Sequence, residues 1–317
     1  MKIINGSGEL RKKLNNPVIT IGNFDGIHLG HQKIFKEVKD RAFELKGDSI
    51  VYTFHPHPVN ILVPQKKVPL ITSFSEKMKL LEESGIDIVI CEEFSAEYAN
   101  LSPRQFIKNI LLDKIGIRAI FVGYDYAFGK GREGNINTLR QLGKEFDFHV
   151  NTVDTVKLDG VTVSSTKIRD FIQKGEVGEV RRFLGRDYSI SGKVGRGKSR
   201  GKGLGFPTAN LKSIIEIIPK PGIYVTYVLY RGEQYQGVVN IGFNPTFKDK
   251  TLSVEAHIFD FNRDIYDEEI RLSFVDRLRD EKIFNGPDEL VKQIDKDVKR
   301  AKEIFCSKKN ETVLSSD

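Results

Sequence analysis

The chain is short of the features that would settle its class at once. Its 317 residues include two cysteines, Cys91 and Cys306, too few for a disulfide framework or a thiolate metal cage. No apolar run is long enough to cross a bilayer, so no membrane partner is expected. The opening "MKIINGSGELRKKLNN" has no apolar signal core and lacks the Arg/Ser-rich character of a transit peptide. A cytoplasmic location is the expectation. Internal repeats and low-complexity segments are absent as well. What is present suits a globular protein: 39% hydrophobic and 29% charged residues. The length is comfortable for two domains. The formal charge of +7 fits nucleic acid or a phosphate-rich small ligand equally well. Much of the excess lies in "GRGKSRGKGLG" (195–205), where Arg196, Lys198, Arg200 and Lys202 have no aromatic residue among them. Stacking on single-stranded bases therefore has little support there.

The first half alternates strand-like and helix-like patterns. Strands are expected at 17–22, 49–54, 86–94, 118–123 and 149–156. Helices are expected at 28–46, 75–85, 102–116 and 135–146; the third opens on Ser-Pro and closes on Gly. Strands separated by helices imply parallel pairing with right-handed crossovers, a doubly wound α/β sheet of Rossmann-like type. Such sheets bind ligands at the carboxyl ends of their strands. Near Gly185 the style changes. "YSISGKV", "GIYVTYVLY", "YQGVVNIG", "LSVEAHIFDF" and "EIRLSFVDRLR" are strand-like runs separated by turns such as "PKPG" and "FNPTFKDK". They predict an antiparallel β-barrel. A closing α-helix follows, striped by Leu290, Ile294, Val298, Ala301 and Phe305. The expected domains are 1–184 and 185–306, with a frayed tail at 307–317.

The string "GNFDGIHLGH" (22–31) falls at the first strand-to-helix junction. His28 and His31 are i and i+3, on one face of a helix start. Backbone N–H groups are unpaired there and the dipole is positive. Two imidazoles add donors, and a polyphosphate fits the result. Gly22, Gly26 and Gly30 allow close backbone approach. Asn23 and Asp25 can fix the turn through side-chain-to-backbone bonds. A lone H-x-x-H is more often a capped helix with solvated histidines; the whole string at this junction favours the anion site. No third or fourth ligand sits nearby for a metal. A second anion turn is read at "GVTVSSTKIRDF" (160–171). There Ser164 can cap a helix, and Thr166 and Arg169 are again i and i+3. Alone it would be an ordinary N-cap with a surface arginine.

"GNFDGIHLGH", "FHPHP" (54–58), "GYDYAFGKGREGN" (123–135) and "SSTKIR" (164–169), in this order, resemble the adenylyltransferase module of bacterial bifunctional riboflavin kinase/FAD synthetases. The match covers about the first 180 residues. The H-x-G-H turn alone marks a broad nucleotidyltransferase superfamily; the other segments narrow it to the flavin branch. The resemblance implies adenylyl transfer from ATP to FMN, giving FAD and pyrophosphate. It implies that Gly22, Asn23, Phe24, His28 and His31 bind ATP phosphates together with Ser164, Thr166 and Arg169. His57, Asp125 and Phe128 would contact flavin or nucleotide. His55 and His57 have an equally good structural reading, as decoration of a proline-stiffened strand end.

"GKVGRGKS" (192–199) satisfies the G-x-x-x-x-G-K-S pattern, but a P-loop needs a helix after it. "RGKGLGFPTANL" starts none. The glycine-rich loop can still turn several N–H groups toward phosphate; otherwise it is a mobile basic hairpin tip. "GLGFPTANL" (203–211), "PKPGIYVTYV", "GVVNIGFNPTF" and "VEAHIFDFNRDIYDEEIRLSFVDRLRDE" resemble riboflavin kinase, over about residues 186–306. That resemblance implies γ-phosphoryl transfer from ATP to the 5′-hydroxyl of riboflavin. Gly195, Gly197, Gly203, Gly205, Pro207, Thr208 and Asn210 would hold ATP phosphates, Thr208 and Asn210 would also hold Mg²⁺, and Glu255 would be the base. Strand alternation agrees: Leu252, Val254, Ala256 and Ile258 face one way, Ser253, Glu255, His257 and Phe259 the other. The sequence departs from the family in two places. Asp267 follows Tyr266 where the family usually has Gly, and "EKIFNGPDEL" (281–290) differs before the last helix.

Three functions are open at this point: a bifunctional flavin-cofactor enzyme taking riboflavin, FMN and ATP; a nucleotidyltransferase for another phosphate-bearing acceptor, with an inert barrel; and a basic binding module for flavin or RNA. Thr208, Asn210 and Glu255 favour the first, with no nucleic-acid partner. Oligomeric state is not encoded in any pattern here.

Overall fold

The computed structural model describes residues 1–317 except Pro64, Lys66, Lys67, 197–204, 244–251 and 315–317, and beyond residue 308 no side chain is described. Among the described residues the chain forms two compact units, Met1–Ser165 and Thr166–Asp317.

The first unit is built on six parallel strands: β1 (Lys2–Asn5), β2 (Val18–Ile21), β3 (Ser49–His55), β4 (Ile88–Glu93), β5 (Ala119–Gly123) and β6 (His149–Val153). Their order is β1-β4-β3-β2-β5-β6. All residues of β2 are buried, as a strand covered on both faces requires. In β3, Ile50 and Tyr52 join a core cluster with Phe106, Ile107 and Leu111. Val51 faces the other way, toward Phe35, Leu81 and Val89. Between the strands run α1 (Leu29–Glu44), α2 (Pro58–Leu62), α3 (Phe74–Glu83), α4 (Ala96–Ala99), α5 (Pro103–Gln105) and α6 (Ile136–Phe146). A Ser102–Gln105 capping box opens α5. The helix then widens into a π-helix, Phe106–Ile115, ended by Gly116 at φ 76°.

The doubly wound expectation holds, with an added edge strand. β1 was not anticipated because only Ile4 of its residues is buried, too little alternation to register as a strand. The chain before Ser164 forms a small hairpin, β7 (Lys157–Leu158) with β8 (Val161–Thr162). The topology has one consequence for function. From β2 the chain winds outward to β3 and β4 on one side, and β5 and β6 lie on the other. The loops after β2 and β5 therefore diverge and leave a crevice at the carboxyl ends.

The second unit contains most of α7 (Ser165–Lys174), then α8 (Val177–Leu184) and the barrel. Its strands are β9 (Tyr188–Gly195), β10 (Ala209–Lys212), β11 (Gly222–Tyr230), β12 (Glu233–Phe243), β13 (Leu252–Ile258) and β14 (Glu269–Arg279). They close in the order β10-β13-β12-β11-β14-β9, every pair antiparallel. β10 was not anticipated as a strand; half of it is the "AN" of "PTAN". α8 was also missed, although Val177, Val180, Phe183 and Leu184 are all buried. The closing helix α9 (Pro287–Leu314) extends into the segment expected to fray. Its Ala301 and Phe305 pack on Val225, Phe259 and Val275.

Asp267 has φ 61°, the left-handed region that costs most side chains about 1–2 kcal/mol. Its N–H donates to the Val194 carbonyl at 2.8 Å. Asp267→Gly is expected to leave stability unchanged or raise it by up to ~1 kcal/mol, the relief of strain opposing the added unfolded-state entropy. Asp267→Val is expected to lower it by about 1–2 kcal/mol. Denaturant unfolding of the two variants reads the difference.

Candidate active sites

The turn after β2 is strained and firmly held. Phe24, Gly26 and Ile27 have φ of 48°, 86° and 40°. For glycine that is ordinary; for a β-branched isoleucine it is an outlier. Phe24 and Ile27 are nearly fully buried, packed in the cluster of Phe35 and Leu81, so burial opposes the strain. Asp25 was expected to bond within its own turn. Its carboxylate instead accepts the N–H of Ile71 at 3.0 Å and of Thr72 at 3.1 Å. The Asp25 carbonyl accepts the Ser165 hydroxyl at 2.9 Å. That bond brings the "SST" turn to the "GNFDG" turn within the first unit.

His28 is the N-cap of α1, and its Nδ1 accepts the N–H of His31 at 3.3 Å. A neutral His28 therefore carries its proton on Nε2. The two imidazoles stack, 3.6 Å between centroids and 19° between planes. His31 titrates well below the usual histidine range, because of burial first, then the neighbouring His28, then Lys77. It is neutral near pH 7. Its Nδ1 is buried with no hydrogen-bond partner among the described residues. His31 thus brings a neutral ring with a buried, unpartnered nitrogen to the turn rather than a fixed cation. Gly30 lies against them: a Cβ there would sit 3.1 Å from the His28 ring.

Ser164 immediately precedes α7, and Thr166 and Arg169 lie one turn apart on it, in the second unit. His57 is the N-cap of α2, its Nδ1 accepting the N–H of Val59 at 3.3 Å. Asp125 is exposed in the turn after β5, on the far side of the switch point from β3. Phe128 is buried and stacks on Tyr126, 15° between planes; it is built into the core wall. Two residues at this end of the sheet went unnoticed in the sequence, Thr53 and Lys77. The Lys77 ammonium donates to the Asn23 carbonyl and the Thr53 hydroxyl. "SEKMKLLEESG" reads as an amphipathic surface helix, and nothing in its spacing marks Lys77 as the buried one.

In the barrel two cavities meet at Thr208. One, of about 270 Å³, is lined by Val194, Thr208, Ile258, Arg263 and Tyr266 among others. The second, of about 250 Å³, is lined by Thr208, Asn240 and Glu255, with apolar walls from Phe206, Phe284 and Ile294. The register places Asn210, Glu255 and Asn240 side by side across β10, β13 and β12. Val254, Ala256 and Ile258 are buried while Glu255 and His257 are half-buried, so the expected alternation holds. His257 Nδ1 donates to the Pro207 carbonyl at 2.9 Å, pinning the segment before β10. Gly195 is opposite Asn210, and a Cβ on it would be 2.7 Å from Lys212 Cγ. Gly205 has φ 86°. Gly197 and Gly203 lie outside the described residues, as do Lys198, Arg200 and Lys202. The 281–290 segment supplies Glu281, Lys282, Phe284 and Leu290 to the second cavity. The Arg279 guanidinium grips Asp297 of α9, with contacts from 2.6 to 3.1 Å, and so holds that helix over the cavity mouth. Asn240, also missed in the sequence, has its Oδ1 buried with no hydrogen-bond partner among the described residues.

Comparison with known proteins agrees with this geometry. Residues 10–167 match the FAD synthetase family and residues 184–305 the riboflavin kinase family. A bifunctional riboflavin kinase/FMN adenylyltransferase of Buchnera aphidicola is 33% identical over 96% of this chain and 99% of its own. The protein of that name from Listeria monocytogenes is 36% identical over 92% of this chain and 93% of its own. The chain belongs to the bifunctional riboflavin kinase/FMN adenylyltransferase family. As a family member it is a transferase with a nucleotidyltransferase domain and a kinase domain on one polypeptide. A crystal structure from Streptococcus pneumoniae, described as a macrolide-efflux protein, also matches, with a TM-score of 0.85 at 30% identity over 95% of this chain and 98% of that one. Among the described residues, no helix is long and apolar enough to cross a membrane.

Asp25→Ala leaves two buried backbone N–H groups without their acceptor. It is expected to cost about 2–4 kcal/mol, with Asp25→Asn losing less because one acceptor oxygen remains. Denaturation followed by a probe in the first unit measures both.

Proposed function

We propose that the two units catalyse successive steps: transfer of the γ-phosphoryl group of ATP to riboflavin in the barrel, then adenylylation of the resulting FMN at the switch point of the sheet. The observation that carries the reading is the pair of cavities divided by Thr208, with Glu255 facing only one of them. ATP occupies the cavity bounded by Val194, Arg263 and Tyr266. Riboflavin enters the more apolar one, where Phe206, Phe284 and Ile294 suit a flat aromatic ring. Glu255 accepts the proton of the 5′-hydroxyl as its oxygen bonds to the γ-phosphorus and the bond to ADP breaks.

Thr208 and Asn210 offer a hydroxyl and an amide oxygen beside Glu255. No cluster of three or more His, Cys, Asp or Glu side chains suited to a metal exists among the described residues. Neutral oxygens of this kind fit Mg²⁺ that keeps phosphate and water ligands and arrives with the nucleotide. Bound there, Mg²⁺ would offset charge on the phosphates. Gly195, Gly205 and Pro207 border the same phosphates.

In the first unit a phosphate oxygen of FMN attacks the α-phosphorus of a second ATP, and pyrophosphate leaves. Positioning and charge stabilisation suffice for such a displacement. The backbone of Gly22, Asn23 and Phe24, the imidazoles of His28 and His31, and Ser164 hold the triphosphate, and the family resemblance gives Thr166 and Arg169 the same role. His57, Asp125 and Phe128 border the flavin or nucleotide. We assign the adenylyltransferase to 1–184 and the kinase to 185–306, followed by a C-terminal tail at 307–317. The enzyme works in the cytoplasm on small molecules, without nucleic acid or membrane.

Incubation with riboflavin, ATP and Mg²⁺, followed by chromatography, is expected to show FMN and then FAD. Glu255→Ala is expected to slow FMN formation about 100- to 10,000-fold and leave FMN-to-FAD conversion intact. His31→Ala is expected to do the reverse, by about 100-fold. A folded variant of either kind that loses both activities refutes two separate sites.

A further inference from the structure

Lys77 is buried, 8% exposed, one turn into α3 from its N-cap Ser73. Its ammonium donates to the Asn23 carbonyl at 3.3 Å and the Thr53 hydroxyl at 3.2 Å, where the chain leaves β2 and β3. Among the described residues it has no ion-pair partner. The carboxylate that exerts a field on it, Asp25, already accepts two backbone amides and the Thr72 hydroxyl. Cys91, opposite Thr53 in the β3–β4 register, keeps its thiol neutral through burial. The other titratable groups around it are His31 and His55, and both are pushed down, by burial first and then in part by Lys77. His31 and His55 thus both feel the charge of Lys77, and the carboxylate that offsets it, Asp25, is committed to other donors.

A buried ammonium held by two neutral oxygens is poorly compensated. Apolar side chains of similar volume at such positions are commonly neutral or stabilising. This arrangement is what an anion at the turn would balance.

We propose that Lys77 is a positioning residue of the adenylyltransferase site, holding the Asn23 carbonyl from beneath and setting a positive field behind the turn for the phosphoryl groups bound at His28 and His31. The inference rests on the adenylyltransferase reading of that turn. It assigns Lys77 no contact with the reacting atoms.

The test uses the full chain with Lys77→Met and Lys77→Arg. Wild type converting FMN and ATP to FAD secures the reading; failure to do so overturns both reading and inference. With conversion secured, Lys77→Met is expected to lower kcat/KM for FAD formation about 10- to 150-fold. Lys77→Arg is expected to retain a substantial part of it. Riboflavin-to-FMN conversion is expected to stay at the wild-type rate in both. A structural role and a field role then separate on two readouts. The field role predicts an unchanged or higher Tm for Lys77→Met, and a His31 imidazole titration, followed by NMR, that moves up toward the ordinary histidine range. FAD formation by Lys77→Met within about twofold of wild type, or a lowered Tm with the His31 titration unmoved, overturns the proposal.

Discussion

The carboxylate of Asp25 accepts the amides of Ile71 and Thr72, while the carbonyl of the same residue accepts the Ser165 hydroxyl. Three stretches distant in sequence are thereby tied at the carboxyl edge of the parallel sheet. The backbone between Phe24 and Ile27 is held in conformations those residues avoid. Strain of this kind persists only where the surroundings over-determine it. It delivers His28 to the N-cap of α1 and stacks His31 against it. Without the tie, the turn would relax and the imidazoles would lose their common aim.

The second unit solves a similar problem differently. Its described strands close into an antiparallel barrel, so the groups proposed to face phosphate come from neighbouring strands. Asn210, Glu255 and Asn240 are adjacent because β10, β13 and β12 are paired in that register. A shift of one residue in β13 would turn Glu255 inward and replace it with a core residue. The buried Val254, Ala256 and Ile258 therefore guard the placement of Glu255, the proposed base, as well as the barrel. Thr208 lines both cavities, and the proposed phosphoryl transfer from one to the other rests on that placement.

Much of this was legible in the residues. β11 and β14 coincide with the runs "GIYVTYVLY" and "EIRLSFVDRLR", because β-branched and aromatic residues with sharp turn signals leave little choice of element. β1 and β10 were not legible, since each is four residues long and gains its strand character from its neighbours. Asp267 stands where the family usually has glycine, and its φ of 61° is the geometry that explains a glycine there. Asp25 was placed in the right turn with the wrong partner, because its partners lie 46 and 47 residues away. Lys77 and Asn240 gave no signal: a lysine on an amphipathic helix and an asparagine in a strand are ordinary until the fold buries the one and the Oδ1 of the other.

The sequence by itself determined the two-part architecture, the strand-to-helix turns, the alternation that presents Glu255, and, through its motifs, the family. These depend on local periodicity, on turn chemistry and on strings of residues read in order. Only the tertiary structure decided that His31 is a neutral ring with a buried Nδ1, that Asp25 is a tie between distant segments, that Thr208 lines two cavities, and that the buried Lys77 has no ion-pair partner among the described residues. Burial, charge balance and cavity shape arise from segments brought together across the chain, and no local pattern records which ones will meet.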